Sequence, residues 1–222
     1  MSKTSTIKVV FLGESNVGKT NIIFKFVNDI YSPNFMASTS AQFASKTIYF
    51  PDLGQLIKFE ILDHPGNERF RSLAKIYYKE AKAVIFVYDI TAKSSLEKLK
   101  AFWYEEVKNN SNNNPILAVV ANNIHAYQYQ QVSNNDGKEF ADKIGAIFQA
   151  TSASSGFGIS TLFDNIGKAY LIPGYDYRLG KIESQEDYMK QIQEANSKQR
   201  RKKNNEKIKL NNQKGSSKEK CY

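Results

Sequence analysis

The fold of this chain is decided by the stretch Gly13-Glu14-Ser15-Asn16-Val17-Gly18-Lys19-Thr20. It matches Gly-x-x-x-x-Gly-Lys-[Ser/Thr], the pattern of a P-loop, whose glycines let successive backbone N–H groups converge on the phosphates of a nucleotide. We therefore expect residues 15–20 to bind phosphate. Lys19 would reach the β- and γ-phosphates, and the hydroxyl of Thr20 would sit on Mg²⁺.

Apolar runs on both sides of this loop alternate with helical patterns. A buried strand is predicted at 7–12 before the loop, and a helix at 21–28 follows it with its positive N-terminus facing the phosphates. Further strands are predicted at 43–51, 55–63, 83–88, 116–121 and 146–151, and further helices at 94–109, 139–144 and 159–171. This alternation predicts an α/β fold with a six-stranded, mostly parallel sheet and helices on both faces.

Composition sets limits on the class of protein. The 222 residues are 41% hydrophobic, which is enough for a full core. The sequence contains no run of 18 apolar residues, so we expect no membrane-spanning helix. The first residues lead into a strand without an apolar leader, and Cys221 is the single cysteine. Both features predict a cytoplasmic protein in a reducing compartment.

The positive charge is concentrated in a tail. Ten lysine and arginine residues and two glutamates lie between Ala195 and Tyr222, so the tail carries nearly all of the net charge of +9. We therefore expect a folded domain at 1–174 and a basic tail at 175–222 that is partly helical or disordered. A nearly neutral domain argues against nucleic acid as a partner.

Further motifs follow the P-loop in order. They are Leu62-Asp63-His64-Pro65-Gly66-Asn67-Glu68-Arg69-Phe70-Arg71-Ser72-Leu73, then Tyr77-Tyr78, Val87-Tyr88-Asp89-Ile90-Thr91 and Thr151-Ser152-Ala153. Their order and spacing resemble the Rab family of Ras-like small GTPases over residues 6–172, and the segment from Arg69 to Tyr78 looks most like the early-endosomal branch. The resemblance implies a Ras-like P-loop GTPase domain that binds GTP and GDP with Mg²⁺.

The resemblance also implies roles for residues around the phosphates. Asp63 resembles the acid that holds Mg²⁺ through a water, and the N–H of Gly66 resembles a donor to the γ-phosphate. In switch I, residues 31–42, the family's metal-binding threonine falls on Ser38, with Thr39 one residue later, and either hydroxyl could serve. Phe43 and Tyr77 match two of three aromatic residues that contact effectors, and Leu62 replaces the third, a tryptophan.

Two positions depart from the family pattern where hydrolysis occurs. Asn67 stands where the family has the glutamine that orients the attacking water, and it is one methylene shorter. A displacement of about 1 Å can cost roughly a hundredfold in rate, so we expect slow hydrolysis, with Lys19 neutralising developing charge. His64, three residues before Asn67, stands where the family has a threonine, and it is expected to be a neutral surface histidine.

The base-recognition loops depart further. Asn122-Asn123-Ile124-His125 replaces the family's Asn-Lys-x-Asp, and Ser152-Ala153-Ser154 replaces Ser-Ala-Lys. In the family the aspartate accepts two hydrogen bonds from guanine, whereas neutral His125 offers at most one acceptor. Asn122 and the N–H of Ala153, which contact N7 and O6 of guanine in the family, are retained.

The last residues of the sequence do not decide whether the chain carries a lipid anchor. Cys221 is the penultimate residue, which forms neither a Cys-a-a-X box nor a double cysteine, so both a lipidated and an unmodified cysteine remain possible. With the basic tail, lipidation would anchor the protein to a membrane surface.

The resemblance implies a monomeric switch of vesicle-mediated transport on the cytosolic face of endomembranes. Its partners would be effectors, exchange factors and GTPase-activating proteins. The main alternative is a pseudo-GTPase that acts as an interaction scaffold, which His125 and Asn67 favour. A nucleotide kinase or P-loop ATPase would need an arginine-rich lid, and no arginine lies between Arg71 and Arg178.

Overall fold

A computed structural model of the chain describes residues 4–32, 40–177, 189–190 and 193–194, without the side chains of residues 68, 71–73 and 134. Its contacts divide the chain into two units, Met1–Glu183 and Ser184–Tyr222. The basic tail and Cys221 lie almost entirely outside the described residues, as do Ser38 and Thr39. Among the described helices, none is both long enough and apolar enough to cross a membrane.

The first unit is built on one six-stranded sheet. Its strands are β1 (Thr4–Leu12), β2 (Gln42–Phe50), β3 (Gln55–Asp63), β4 (Ala83–Asp89), β5 (Ile116–Asn122) and β6 (Ile147–Ala150). The strand order is β2-β3-β1-β4-β5-β6, and every neighbouring pair is parallel except the β2–β3 hairpin. The predicted six-stranded, mostly parallel sheet is confirmed.

Helices connect the strands. They are α1 (Lys19–Asn28), α2 (Arg71–Tyr78), α3 (Lys93–Lys98), α4 (Tyr104–Asn110), α5 (Asn134–Lys143) and α6 (Ile159–Leu171), and a π-helical segment, Leu99–Trp103, joins α3 to α4. Short 3₁₀ segments lie at Pro51–Leu53, Glu68–Phe70 and Ile124–Tyr129. The single helix predicted at 94–109 is therefore three consecutive segments.

The core lies on both faces of the sheet because strand residues alternate in direction. On one face, Ile7, Val9 and Phe11 pack with α1 and α6 in a buried cluster. Phe163 of α6 stacks on Phe26 of α1 with ring centroids 3.4 Å apart. On the other face, Phe86 contacts the ring of Tyr104 at 6.3 Å. The sheet is covered by helices on each side, as predicted.

The start of α5 differs from the prediction. The helix begins at Asn134, whereas the apolar pattern placed its start at residue 139. Ser133 caps it, because its hydroxyl accepts from the N–H of Asp136 while the Asp136 carboxylate accepts from the N–H of Ser133. The first turn is polar and exposed, so hydrophobic periodicity could not reveal it.

Candidate functional site

The P-loop joins the end of β1 to the start of α1. Gly18 precedes the helix with φ of +90°, and a Cβ there would lie 2.3 Å from Nδ2 of Asn122. Only glycine avoids both the strain and the clash. Gly18, the residue before α1, makes no side-chain hydrogen bond that caps the helix. A helix start of this kind suits an anion.

Lys19 is folded back across the loop. It is 6% exposed, and its Nζ donates to the carbonyl oxygens of Gly13 at 2.9 Å and Glu14 at 2.8 Å. Burial lowers the pKa of Lys19 to about 8, although the charges of Asp63 and Glu14 act in the opposite direction. A phosphate beside this amine would favour its charged form.

Thr20 and Asp63 meet beside Lys19. The hydroxyl of Thr20 donates to Oδ2 of Asp63 at 2.5 Å. The pairing of β1 with β3 brings them together, because Asp63 at the end of β3 lies opposite Phe11, near the end of β1. A hydroxyl and a buried carboxylate are hard oxygen ligands of the kind Mg²⁺ takes together with nucleotide phosphates. The residues present fit that ion.

Gly66 rests on the P-loop backbone. A Cβ at this position would lie 2.2 Å from the carbonyl carbon of Glu14 and 2.4 Å from the amide nitrogen of Ser15. Any larger residue would push the start of switch II, which comprises residues 66–78, away from the loop. The structure thus brings together Ser15 and Gly66, two residues predicted to bind phosphate.

The side chain of Asn67 is used locally. Its Oδ1 accepts from the N–H of Arg69 at 3.0 Å, and its carbonyl oxygen accepts from the N–H of Phe70 at 3.0 Å. Asn67 is exposed and forms the turn that begins the Glu68–Phe70 segment. The oxygen that would contact a water is therefore engaged with the backbone of its own turn.

The expectation of a surface histidine at 64 is wrong, because His64 is 1% exposed. Its Nε2 lies 3.0 Å from the carbonyl oxygen of Phe70, and its ring centroid lies 5.7 Å from that of Trp103 and 6.2 Å from that of Tyr77. Burial lowers its pKa, and the charge of Lys19 adds to this, so the imidazole is neutral at pH 7. His64 links switch II to the helix of Trp103.

Trp103 connects that helix to the P-loop. Its side chain is fully buried. Its Nε1–H also donates to Oε1 of Glu14 at 3.2 Å, and Lys98 donates to Oε2 of the same carboxylate at 2.9 Å. Sequence reasoning missed Glu14, Lys98 and Trp103 as a network, because the contacts span 84 residues or more.

Asn122 holds the base-recognition loops together. It is fully buried, its Nδ2 donates to the carbonyl oxygen of Val17 at 2.9 Å, and its Oδ1 accepts from the hydroxyl of Thr151 at 3.1 Å. The next residue, Asn123, has φ of +65° and donates to Oδ2 of Asp89 at 2.8 Å. The P-loop and both base-recognition loops therefore meet at the carboxyl ends of the strands.

His125 contacts the second base-recognition loop. Its Nδ1 lies 3.1 Å from Oγ of Ser152, which in turn lies 3.0 Å from Oγ of Ser154. Ala153, between the two serines, is 2% exposed. Burial lowers the pKa of His125, although the carboxylate of Asp89 acts in the opposite direction. All six residues predicted to recognise the base lie in these two adjoining loops.

An apolar surface lies beside switch II. Phe43 is 79% exposed and its ring meets that of Tyr77 edge-on at 6.5 Å. Leu62, where the related pattern has tryptophan, is buried, and a cavity of about 160 Å³ is lined by Phe43, Leu62, Ile76 and Tyr77 with charged residues around it. Phe43 and Tyr77, which the resemblance matches to effector-contacting residues, therefore lie together on this surface.

This geometry defines a P-loop nucleotide-binding domain of the α/β class. The sequence model of the Ras family matches residues 8–171. The chain is 38% identical to Ras-related protein Rab-22A of Homo sapiens over 173 residues, which is 78% of this chain and 87% of the relative. It is 38% identical to Ras-related protein Rab-31 of Mus musculus over 73% of this chain and 82% of that one. It is 35% identical to Ras-related protein RabJ of Dictyostelium discoideum over 85% of this chain and 73% of that relative.

The chain therefore belongs to the Ras family, and its relatives are Rab proteins, as the motif order predicts. Its kinship with Rab proteins implies a GTP-binding switch in vesicle trafficking. It also implies binding of guanine nucleotide and Mg²⁺ in general, together with effector, exchange-factor and GTPase-activating partners.

Proposed function

We propose that this chain is a Rab-like small GTPase that binds GTP and GDP with Mg²⁺ and hydrolyses GTP slowly without a partner. The observation that carries the proposal is the convergence of Lys19, Thr20, Asp63 and Gly66 at one end of the sheet. A Mg²⁺–triphosphate needs an ammonium and a backbone N–H for its phosphates, and a hydroxyl and a carboxylate for its metal ion.

In this proposal each group has a defined task. The backbone of residues 15–20 and the N–H of Gly66 bind phosphate, and Lys19 offsets the charge that develops on the phosphoryl oxygens. Thr20, Asp63 and Ser38 or Thr39 hold Mg²⁺, which when bound neutralises the phosphate oxygens. Asn122, Asn123, His125 and residues 152–154 surround the base.

Slow hydrolysis is supported by two features of Asn67. Its side chain is one methylene shorter than glutamine, and its oxygen is already bonded to the N–H of Arg69. This bond holds the oxygen at the backbone of its own turn, and the side chain would also have to reach as far as the longer glutamine. We propose that a GTPase-activating partner supplies most of the hydrolysis rate.

The proposal also covers the attachment of the protein to membranes and its location in the cell. The domain of residues 1–174 would act as a monomer on the cytosolic face of endomembranes. The basic tail of residues 175–222 would bring it to an anionic membrane surface, and a lipid on Cys221 would add a second anchor. Rab-22A and Rab-31 as relatives favour endosomal membranes.

A second candidate function is a pseudo-GTPase scaffold, and His125 and Asn67 favour it. The experiment that separates the two is mass spectrometry of the nucleotide that co-purifies with the folded full-length chain. GDP or GTP at close to one equivalent supports the switch. Protein free of nucleotide that also binds neither GDP nor GTP when they are added with Mg²⁺ would contradict it and support the scaffold.

A further inference from the structure

Two departures from the family pattern lie in one hydrogen-bonded chain. His125 and Ser154 are 29 positions apart, yet both contact the hydroxyl of Ser152, at 3.1 Å from Nδ1 of His125 and 3.0 Å from Oγ of Ser154. Ser152 is fully buried, so this contact fixes one edge of the imidazole. In the described part of the chain, the other ring nitrogen, Nε2, has no hydrogen-bond partner. One nitrogen is left for a ligand.

A neutral imidazole has one donor and one acceptor. The lowered pKa of His125 keeps the ring neutral at pH 7. Serine hydroxyls can rotate, so Ser152 can either donate to Nδ1 or accept from it. When Nδ1–H donates to Ser152, Nε2 becomes an acceptor, and this tautomer suits the N1–H of a 6-oxopurine.

We propose that His125 recognises the purine through Nε2 alone, so that the site ignores the 2-amino group and takes hypoxanthine nucleotides as well as guanine nucleotides. This inference rests on the proposed function. An aspartate has two oxygens and accepts from both N1–H and the 2-amino group, whereas a single nitrogen cannot reach both donors. His125 thereby sets the base specificity of the site.

The other base contacts cannot distinguish guanine from hypoxanthine. Guanine and hypoxanthine share N7 and O6, which Asn122 and the N–H of Ala153 would contact. Adenine carries a 6-amino group in place of O6, and this group would face the N–H of Ala153, donor against donor. The expected order of affinity is therefore guanine equal to hypoxanthine, with adenine weaker.

The test is a competition titration on the nucleotide-free, full-length chain with Mg²⁺. Fluorescent GDP is displaced by GDP, by inosine diphosphate and by ADP. For the unaltered protein we expect inosine diphosphate to bind within about threefold of GDP. For His125→Asp we expect GDP to be preferred by about tenfold or more, because a charged acceptor for the 2-amino group is restored.

Two serine variants refine the result. Ser152→Ala removes the partner of Nδ1 and should weaken GDP and inosine diphosphate to the same extent. Ser155→Ala, on the same loop, serves as the matched control, because the hydroxyl of Ser155 bonds the N–H of Phe157 and not His125. It should leave all three affinities unchanged.

The outcomes are distinguishable. A preference of the unaltered protein for GDP over inosine diphosphate by tenfold or more would overturn the inference and leave the proposed function intact. Failure of all three diphosphates to bind would overturn the proposed function, and the inference with it. The ratio for the unaltered protein decides the matter even where a variant does not fold.

Discussion

Nε2 of His64 lies 3.0 Å from the carbonyl oxygen of Phe70, and the imidazole is buried against Trp103. Trp103 in turn bonds the carboxylate of Glu14 in the P-loop. The first turn of switch II is therefore tied through one imidazole to the helix that supports the phosphate-binding loop. The resemblance places a threonine at this position, which could not fill the same space.

Replacing His64 with threonine should lower the free energy of unfolding. The change removes a hydrogen bond and leaves a cavity beside Trp103, which together cost about 1–3 kcal/mol. Urea denaturation followed by circular dichroism measures the loss. His125→Thr is the matched control, since the chain has two histidines and His125 is only half-buried. An equal loss in both variants would contradict the anchoring role.

Lengthening Asn67 to glutamine should accelerate GTP hydrolysis. The longer side chain reaches further beyond the backbone N–H of Arg69, and improved positioning of about 1 Å is worth roughly a hundredfold at most. Single-turnover hydrolysis of preloaded GTP measures the rate, and Asn67→Ala controls for loss of the existing amide. The idea fails if the Asn67→Gln rate stays at that of the unaltered protein while GTP affinity is unchanged.

Removing Mg²⁺ should release nucleotide. We expect a chelator to accelerate GDP release from the unaltered protein by about tenfold or more, because the ion that Thr20 and Asp63 help to hold neutralises the phosphates. Asp63→Asn should release GDP quickly with or without the chelator. Glu60→Gln is the control on the same strand, since Glu60 pairs with Lys58 near the surface. Release that does not respond to the chelator would count against the metal site.

Acid should weaken binding of GDP through His125. Burial lowers its pKa below the ordinary 6.5, so the ring is neutral and affinity is constant above that pH. As the pH falls through the lowered pKa, His125 gains a proton and loses its last acceptor. His125→Asp should keep its affinity over the same range, because the aspartate titrates at far lower pH. Parallel pH profiles of the two proteins would show that His125 is not the titrating group.

The fold and the proximity of Lys19, Thr20 and Asp63 could be predicted from the sequence, whereas the contacts of His64 and His125 could not. The P-loop motif gave Lys19 and Thr20, and the strand ending at Asp63 pairs with β1 in the register that brings this carboxylate to Thr20. The burial of His64 depends on Trp103 and Tyr77, which come from other elements, so no local pattern could indicate it.

The contact of His125 with Ser152 could not be predicted from the sequence for the same reason. It joins residues 27 positions apart, on loops that meet only because β5 and β6 are neighbours in the sheet. Spacing along the chain carries no record of such a contact. The start of α5 was missed for a different reason, since its capping box lies in an exposed polar turn without apolar periodicity.

A switch of the proposed kind requires that the third phosphate of the nucleotide change the state of switch II. Hydrogen exchange of residues 66–78 in the full-length chain, loaded with GDP or with a non-hydrolysable GTP analogue, tests it most directly. We predict slower exchange with the analogue, because the γ-phosphate gives the N–H of Gly66 an acceptor and orders the segment that follows. Identical exchange in the two nucleotide states would contradict the switch and support the scaffold.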